Sequence, residues 1–264
     1  MVFRPDKNEV AQRFRRSLPT YDENALIQKK VSERLVDLLR ETVGIDYTRV
    51  LEVGCCTGGM TEMLCGRSPV GRLFVNDLVS ECCEVTRERA GRYLSSIETI
   101  PGDVEKVTLP DHLDLIVSSS TLQWMSDFPA ILKKFSAALT ARGYLGFSLF
   151  GTGTLREIQE LTGRGLHYTP LEQLSSLLQT HFDLLHSETC EDSLFFSGPM
   201  DVLRHLQATG VSGLGGFRWT PAGLRTFERE YRRLFGSEGK VRLSYVSHFL
   251  VARKKRQGGD NGQR

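Results

Sequence analysis

A short apolar strand that runs into a glycine-rich turn constrains this 264-residue chain more than any other feature. Arg49–Val53 has the composition of a buried strand, and Gly54-Cys55-Cys56-Thr57-Gly58-Gly59 follows it directly. Glu62–Leu64 then continue as a helix. A strand, a glycine turn and a helix in this order are typical of an open α/β sheet, in which ligands bind beyond the carboxyl ends of the strands. The pattern therefore predicts a ligand site directly after the strand.

The residues of the turn indicate which kind of ligand it accepts. Gly54 lets the backbone turn sharply and approach a ligand closely. Glu52 lies at the end of the strand, where its carboxylate can attract an ammonium group. A dinucleotide motif needs a second glycine so that pyrophosphate can come close. Cys56 occupies that position and obstructs pyrophosphate, so the turn favours a nucleoside cofactor that carries no phosphate.

Acidic residues also follow the next two predicted strands. Asp77 comes after Arg72–Asn76, at a spacing from the turn that matches the ribose-binding acid of nucleoside-binding sheets. Asp103 follows the weak strand Glu98–Ile100 and can accept a hydrogen bond from an adenine amino group. Each acid alone is equally well explained as a solvated loop residue or a helix cap. Three acids after three successive strands, with Glu52 the first, predict a nucleoside site.

Strand and helix signals alternate along most of the chain. This alternation predicts a mostly parallel sheet that is flanked by helices. Leu113–Ser118 is a continuous apolar run, as expected for a strand that is buried on both faces. The other elements predicted here are a helix over Glu23–Glu41 with Asp22 as its cap, a helix over Ser80–Gly91 with Ser80 as its cap, a helix opened by Asp127 and Pro129 and closed by Gly143, and a strand over Tyr144–Phe150.

The C-terminal third has a different pattern. Two late strand signals, within Asp183–Phe196 and over Val241–Ala252, are separated by helices and predict an antiparallel end to the sheet. A capping box at Thr169-Pro170-Leu171-Glu172 opens one helix, and Pro199–Gln207 and Pro221–Phe235 follow as others. We expect a single domain over 1–253, made of N-terminal lid helices (1–45), a ligand-binding core (46–150) and substrate-side strands and lid helices (151–253), followed by a disordered tail (254–264).

Composition narrows the function classes. A net charge of +2 gives no global argument for nucleic acid or a membrane, and no apolar run has the length that a bilayer requires. The N-terminal residues lack the apolar core of a signal peptide, which predicts a cytoplasmic protein. The six cysteines match neither a CxxC zinc pattern nor a disulfide framework, so we interpret them as buried or incidental thiols. We expect a monomer without metal, nucleic acid or membrane.

Residues 50–150 resemble the class I S-adenosylmethionine-dependent methyltransferases. Glu52-Val53-Gly54 is similar to the first motif of that family, Asp77 to the second, Gly102-Asp103 to the third and Leu113–Ser118 to the fourth strand. Cys56 departs from the glycine of many members, and we expect it to narrow the methionine pocket. The resemblance implies a Rossmann-like, mostly parallel seven-stranded sheet with an antiparallel C-terminal strand, and S-adenosyl-L-methionine as cofactor. The contacts it implies are Glu52, Gly54, Cys56, Gly58, Asp77, Leu78, Asp103, Val104 and Ser118.

A closer resemblance runs nearly from end to end. It is to the malonyl-[acyl-carrier protein] O-methyltransferase family of biotin synthesis. The segments that carry it are Val10–Ser17, Thr20-Tyr21-Asp22 with Ile27-Gln28, Leu122-Gln123-Trp124, Leu203–Leu206 with Gly210, and Leu243-Ser244-Tyr245. The resemblance implies methylation of the free carboxyl of a malonyl thioester, on an acyl carrier protein or on coenzyme A. Because a carboxylate is already ionised at neutral pH, the reaction needs positioning and exclusion of water rather than a general base.

Four residues are candidates for the substrate site within this resemblance. Arg204 can hold the acceptor carboxylate through two parallel hydrogen bonds, and the alternative is a solvated arginine on a lid helix. Tyr21 can close the pocket over the cofactor, while Gln123 and Trp124 follow the fourth strand at the substrate mouth. Plain packing explains the two aromatic side chains equally well.

The implied partner is a carrier protein, and the family's carrier proteins are acidic. Docking is therefore expected at one of two basic clusters, Arg13 with Arg15 and Arg16, or Arg229 with Arg232 and Arg233; a solvated helix face is the usual alternative. Two other functions stay open. A methyltransferase of a free small acid or a quinone-like lipid would share the cofactor site without needing a carrier protein. A non-catalytic methyltransferase-like assembly partner is the other, and Cys56 keeps it open.

Overall fold

The computed structural model describes residues 6–44, 46–166, 168–210 and 219–256, and one mixed β-sheet runs through its centre. Its strands are β1 (Tyr47–Val53), β2 (Val70–Asp77), β3 (Ile97–Pro101), β4 (Leu113–Ser119), β5 (Leu139–Phe150), β6 (Phe182–Phe196), β7 (Gly236–Ser237) and β8 (Lys240–Lys254). They lie in the order β3-β2-β1-β4-β5-β8-β6, and β7 forms a short hairpin with β8.

The pairing of the strands confirms the predicted fold class. β1 to β5 pair in parallel, and β8 lies antiparallel to both β5 and β6. The path has the seven strands that were predicted, and the two-residue β7 is an addition at its edge. From β1 the chain first extends the sheet towards β3 and then returns to β4 on the other side. The switch point, where ligands of such sheets bind, therefore lies between the carboxyl ends of β1 and β4.

Helices cover both faces of the sheet in the described part of the chain. They are α1 (Lys7–Asn24), α2 (Leu26–Val43), α3 (Gly59–Arg67), α4 (Ser80–Ala90), α5 (Phe128–Ala138), α6 (Arg156–Thr162), α7 (Leu171–Leu178), α8 (Pro199–Ala208) and α9 (Pro221–Phe235). Apolar side chains of α5 and α7 fill the core on one face, whereas α2, α3, α8 and α9 contribute to the larger core on the other. None of the helices in these described ranges is long and apolar enough to cross a membrane.

The N-terminal helices differ from the prediction. The helix predicted over Glu23–Glu41 with Asp22 as cap is wrong at its start, since α1 ends at Asn24 and α2 begins at Leu26. Asp22 lies inside α1, where its carboxylate accepts a hydrogen bond from Thr57 Oγ1 at 2.5 Å. Local sequence patterns do not indicate α1, because few of its residues are buried and because Pro19 lies inside the helix. Its position depends on contacts with distant parts of the chain.

Three predicted helix ends are also wrong. Ser80 begins α4 but does not cap it, and none of the described side chains caps that helix. Gly143 lies inside β5, because α5 already ends at Ala138 and the strand starts at the next residue. Pro170 rather than Thr169 precedes the first turn of α7, which also lacks a cap from any described side chain. At α5 the boundary coincides with strand pairing, because Leu139 already pairs with Leu113 of β4, and a local pattern does not contain that pairing.

The predicted tail begins too early. Lys254 is the last residue of β8, and its Nζ donates to the carbonyl of Leu139 at 2.7 Å. Lys255 is also held, because its backbone N–H donates to the carbonyl of His181 at 3.0 Å. The rest of the predicted tail, 257–264, lies outside the described residues.

Candidate active site

The turn after β1 is packed too closely for a side chain at its first residue. Gly54 has a φ of +78°, and a Cβ atom there would lie 2.0 Å from Thr121 Oγ1. The backbone N–H groups of Gly54 and Cys55 both donate to the carbonyl of Asn76, at 2.8 and 3.0 Å. The sequence predicts that the backbone of Gly54 approaches a ligand closely. In the structure Thr121 occupies the place of a side chain at Gly54, and Gly54 itself borders the open space beside the turn.

Two cavities open beside this turn. The β2 cavity, of about 80 Å³, lies between α1 and the carboxyl ends of β2 and β3. The α2 cavity, of about 360 Å³, lies between α2, α3 and the end of β1. The residues that line both are Tyr21, Gly54, Cys56, Ser119 and Ser120. Because the cavities share this wall, they form one elongated site with two chemically different ends.

Glu52 contributes a fully buried carboxyl group at the base of the α2 cavity. Its side chain has no exposed surface, and its Oε2 accepts a hydrogen bond from Thr61 Oγ1 at 2.5 Å. Its Oε1 has no partner among the described residues. Burial raises the pKa of Glu52 to about 8, although the hydrogen bond from Thr61 works against that shift. A buried acceptor without a donor is costly, so a ligand ammonium group would satisfy an existing need of this site.

Asp77 lies at the end of β2 and lines the β2 cavity. Its Oδ2 accepts from the backbone N–H of Cys56 and its Oδ1 from that of Val79, both at 2.9 Å. Burial raises the pKa of Asp77, and these two N–H donors oppose that rise. Leu78 and Val104 add apolar wall. The carboxylate is therefore fixed in orientation and faces the cavity where the sequence predicted a ribose contact.

The helix α1 covers both cavities. Tyr21 and Cys56 line the same wall of the site, and burial, followed by the neighbouring Cys56 thiol, raises the pKa of Tyr21. Phe14 packs edge-on against Trp124, with ring centroids 6.2 Å apart. Lys7 forms an ion pair with Asp103, with Nζ to Oδ1 at 2.5 Å. A ligand in this site would therefore be bound beneath α1.

Three predicted residues support the site without lining either cavity. Gly58 has a φ of +80° and is the residue directly before α3. Ser118 is fully buried, and its Oγ donates to the carbonyl of Val53 at 2.8 Å, which ties β4 to β1. Gln123 donates through Nε2 to the carbonyl of Ser120 at 2.7 Å. The structure therefore gives these residues a role in positioning the walls of the cavities.

Arg204 does not lie in the site. It is on α8 with 70% of its side chain exposed, and it pairs with Asp201 on the same helix. The reason is the phase of α8, whose buried stripe contains Val202, Leu203 and Leu206 and so turns Arg204 towards solvent. Arg204 is therefore not among the residues that line either cavity in the described ranges, and its role as carboxylate anchor stays a prediction.

Two of the family-like segments meet in the C-terminal core. His205 Nε2 lies 2.9 Å from the Tyr245 hydroxyl, and both side chains are buried. Burial lowers the pKa of His205 to about 4, so the ring is neutral at physiological pH. These two segments therefore fasten α8 to β8 rather than supply groups to the cavities.

Sequence reasoning missed several polar residues of the site, among them Gln28, Ser120 and Lys7. Gln28 and Ser120 line the α2 cavity, and Lys7 lines the β2 cavity. A signal for Gln28 was present, because Gln28 and Ser32 recur at helical spacing on the buried face of α2. Polar residues on an otherwise apolar face indicate a polar surface that the face covers. For Lys7 no signal existed, since it depends on where α1 packs.

The hydrogen-bonding groups and the apolar walls of the site fit S-adenosylmethionine. Acceptors for an ammonium group lie at one end of the site, and an oriented carboxylate with apolar walls lies at the other. In the described ranges, no group of three or more His, Cys, Asp or Glu side chains is placed to hold a metal ion. All six cysteines are free thiols.

Comparison with known proteins agrees with this geometry. The methyltransferase domain family matches residues 51–147. The chain is 38% identical over 253 residues to the malonyl-[acyl-carrier protein] O-methyltransferase of Chlorobium phaeovibrioides, covering 95% of this chain and 97% of that protein. It is 33% identical to the enzyme of the same name from Acinetobacter baylyi, covering 94% and 97%. The crystal structure of the N-methyltransferase NodS from Bradyrhizobium japonicum with S-adenosyl-L-homocysteine shares the fold at a TM-score of 0.53 and 17% identity, covering 84% and 86%.

Proposed function

The chain belongs to the malonyl-[acyl-carrier protein] O-methyltransferase family, and on that premise we propose that it converts the free carboxyl of malonyl-acyl carrier protein to its methyl ester. S-Adenosyl-L-methionine is the cofactor. The observation that carries the proposal is the two-ended site at the switch point, with the unpartnered Oε1 of Glu52 in one cavity and the oriented Asp77 in the other, both within the described residues. We further propose that the reaction is an early step of biotin synthesis.

The proposed reaction requires the side chains mainly to position the cofactor and the acceptor carboxylate. The cofactor, when bound, supplies a methyl group on a sulfonium. A new O–CH3 bond forms on the acceptor carboxylate as the methyl–sulfur bond breaks, and the products are a methyl ester and S-adenosylhomocysteine. No proton is transferred, because the acceptor is already ionised. Holding two reactants in line can account for about 7–11 kcal/mol of a barrier.

The cofactor half of the site provides that placement. We propose that Glu52 accepts from the cofactor ammonium, Asp77 from the ribose hydroxyls and Asp103 from the adenine amino group. Lys7 now pairs with Asp103, so an adenine amino group would share or replace that contact. Leu78, Val104 and Cys56 would form the walls, and Gly54, Gly58 and Ser118 would hold the backbone in shape.

The acceptor side of the proposal rests on the residues that border the cavities. Tyr21 lines both cavities and Trp124 lines the β2 cavity, which supports our proposal that both exclude water from the transfer. We propose that Gln123 keeps the segment after β4 in position through its bond to Ser120. Arg204 would orient the acceptor carboxylate only after its guanidinium leaves Asp201.

The carrier protein would dock on a basic surface near α1 or α9. Arg13 and Arg15 are paired with Glu9 and Glu81, whereas Arg229 and Arg233 share Glu230. These exposed pairs are weak, so an acidic partner can compete for their arginines. We propose that the enzyme acts as a cytoplasmic monomer on carrier-bound malonate, with malonyl-coenzyme A as the alternative acceptor.

A methyl-transfer assay with two acceptors tests the proposal. Malonyl- and acetyl-acyl carrier protein are each incubated with the enzyme and S-adenosylmethionine, and intact-mass spectrometry is used to count added methyl groups. We expect one methyl group on the malonyl form and none on the acetyl form, since only the former has a free carboxyl. Methylation of both forms, or of neither when cofactor binding is demonstrated, would contradict the proposal.

A further inference from the structure

Gln28 is the most unusual polar side chain near the site. It lies on α2 with 6% of its surface exposed and lines the α2 cavity. Within the described part of the chain, neither Oε1 nor Nε2 of its carboxamide has a hydrogen-bond partner. Burying a whole amide without partners is unfavourable, and native proteins rarely do so unless water or a ligand completes the bonds. A packing role therefore does not explain this residue.

Other polar groups of the same cavity also lack a partner among the residues that the structure describes. They are Glu52 Oε1 and the Ser120 hydroxyl. With Gln28 Oε1, the cavity presents two acceptors that can receive from an ammonium group. With Gln28 Nε2 and the Ser120 hydroxyl, it also presents donors that can bind a carboxylate. A ligand that carries both groups on one carbon satisfies the whole set.

We infer that Gln28 recognises the amino-acid end of the cofactor, with its carboxamide oxygen on the α-ammonium and its carboxamide nitrogen on the α-carboxylate. This inference rests on the proposed function for the identity of the cofactor. It assigns to α2 a binding residue in the cavity that Glu52 and Ser120 also line, and the group that would bind the zwitterionic amino-acid end is a neutral amide. Because Gln28 is uncharged, it gives no preference to a ligand with only a carboxylate over one with both an ammonium and a carboxylate.

The acceptor carboxylate is the competing occupant of the α2 cavity. A carboxylate brings only acceptors, so it would leave Gln28 Oε1 without a donor. It also brings no positive charge to favour the ionised form of Glu52, whose pKa burial raises to about 8. The ammonium of the amino-acid end supplies both the donor and the positive charge. The geometry therefore favours the cofactor over the acceptor at Gln28.

Two ligands that differ only at this end test the inference. S-Adenosylhomocysteine carries the amino-acid end, whereas 5′-methylthioadenosine lacks it, and calorimetry gives the Kd of each without any acceptor. We expect Gln28→Leu to weaken S-adenosylhomocysteine about tenfold to 100-fold, as for loss of hydrogen bonds to charged groups. The Kd of 5′-methylthioadenosine should change less than about twofold on the same scale. Lys30→Gln, on α2 but outside the cavity, is the matched control.

Thermal stability separates a binding role from a structural one. Because leucine removes an unsatisfied buried amide, ligand-free Gln28→Leu should melt at the same or a higher temperature than the wild type. Gln28→Glu is a second variant of nearly the same shape, and we expect it to weaken S-adenosylhomocysteine by bringing a charge against the α-carboxylate. Equal weakening of both ligands, or no change in the affinity for S-adenosylhomocysteine, would overturn the inference. Both outcomes are independent of whether malonyl-acyl carrier protein is methylated.

Discussion

The two halves of the molecule use their motif residues in different ways. In the half that contains β1 to β4, acidic residues at strand ends face the cavities, and Glu52 retains an oxygen that no described group contacts by a hydrogen bond. In the half that contains β6, β8 and α8, His205 and Tyr245 bond to each other inside the core. Both the strand-end acids and the buried pair of His205 and Tyr245 belong to segments that resemble the family, but only the acids mark a binding site. What distinguishes them is whether the side chain faces a cavity or bonds to another side chain in the core.

Gly54→Ala should have the largest effect and would sharpen the comparison. The added methyl would meet Thr121 at 2.0 Å, and the φ of +78° disfavours any side chain. We expect a loss of about 2–4 kcal/mol of folding free energy, from overpacking and left-handed strain together. Chemical denaturation measures it. Thr121→Gly removes the obstructing side chain and should restore part of the stability in the double variant; failure to restore any would contradict the packing explanation.

Asp77→Asn tests whether the acids of the first half bind the cofactor. The amide retains the shape and one acceptor oxygen, but it loses the charge that faces the β2 cavity. We expect the Kd of S-adenosylhomocysteine to rise about tenfold to 100-fold, measured by calorimetry. Asp183→Asn on β6, whose partner is Arg253, is the matched control in the other half and should leave the Kd unchanged. A similar loss in both variants would break the comparison.

The pH dependence of folding stability should reveal the buried state of His205, which lies in the second half of the molecule. The pKa of folded His205 is about 4, below its ordinary 6.5, so the unfolded chain binds more protons between these values. The stability from this residue is present above pH 6.5 and is lost as the pH falls towards 4, at no more than about 1.4 kcal/mol for each pH unit crossed. Urea denaturation across this range should therefore show a steeper loss for the wild type than for His205→Gln. Equal slopes would contradict the buried, neutral ring.

Arg204→Ala should have the smallest effect on the protein itself. The side chain is exposed and its ion pair lies within α8, so we expect no change in stability or in the Kd of S-adenosylhomocysteine. If Arg204 orients the acceptor as proposed, kcat/KM for malonyl-acyl carrier protein should fall about tenfold, equivalent to one charged hydrogen bond. Undiminished turnover would remove Arg204 from the acceptor site, and the second half would then contribute packing alone.

Local sequence predicted the first half better than the second. The β1 turn and the acids Asp77 and Asp103 follow from short patterns, since a parallel sheet brings all strand ends to one edge. The position of α1 over the cavities could not be predicted from short patterns, because it depends on long-range contacts such as that of Lys7 with Asp103. The outward direction of Arg204 was within reach of the sequence, because the apolar stripe of its helix already assigns it to the opposite face.

Hydrogen–deuterium exchange on the full chain tests this difference between the halves most directly. The enzyme is measured alone, with S-adenosylhomocysteine, and with S-adenosylhomocysteine plus malonyl-acyl carrier protein. We expect S-adenosylhomocysteine to protect α1 and the segments around Glu52, Asp77 and Asp103. The carrier protein should add further protection on α9 or on the basic part of α1. Protection by S-adenosylhomocysteine that is confined to α8, α9 and β8 would contradict the proposed site, because the half without the acids would then hold the cofactor.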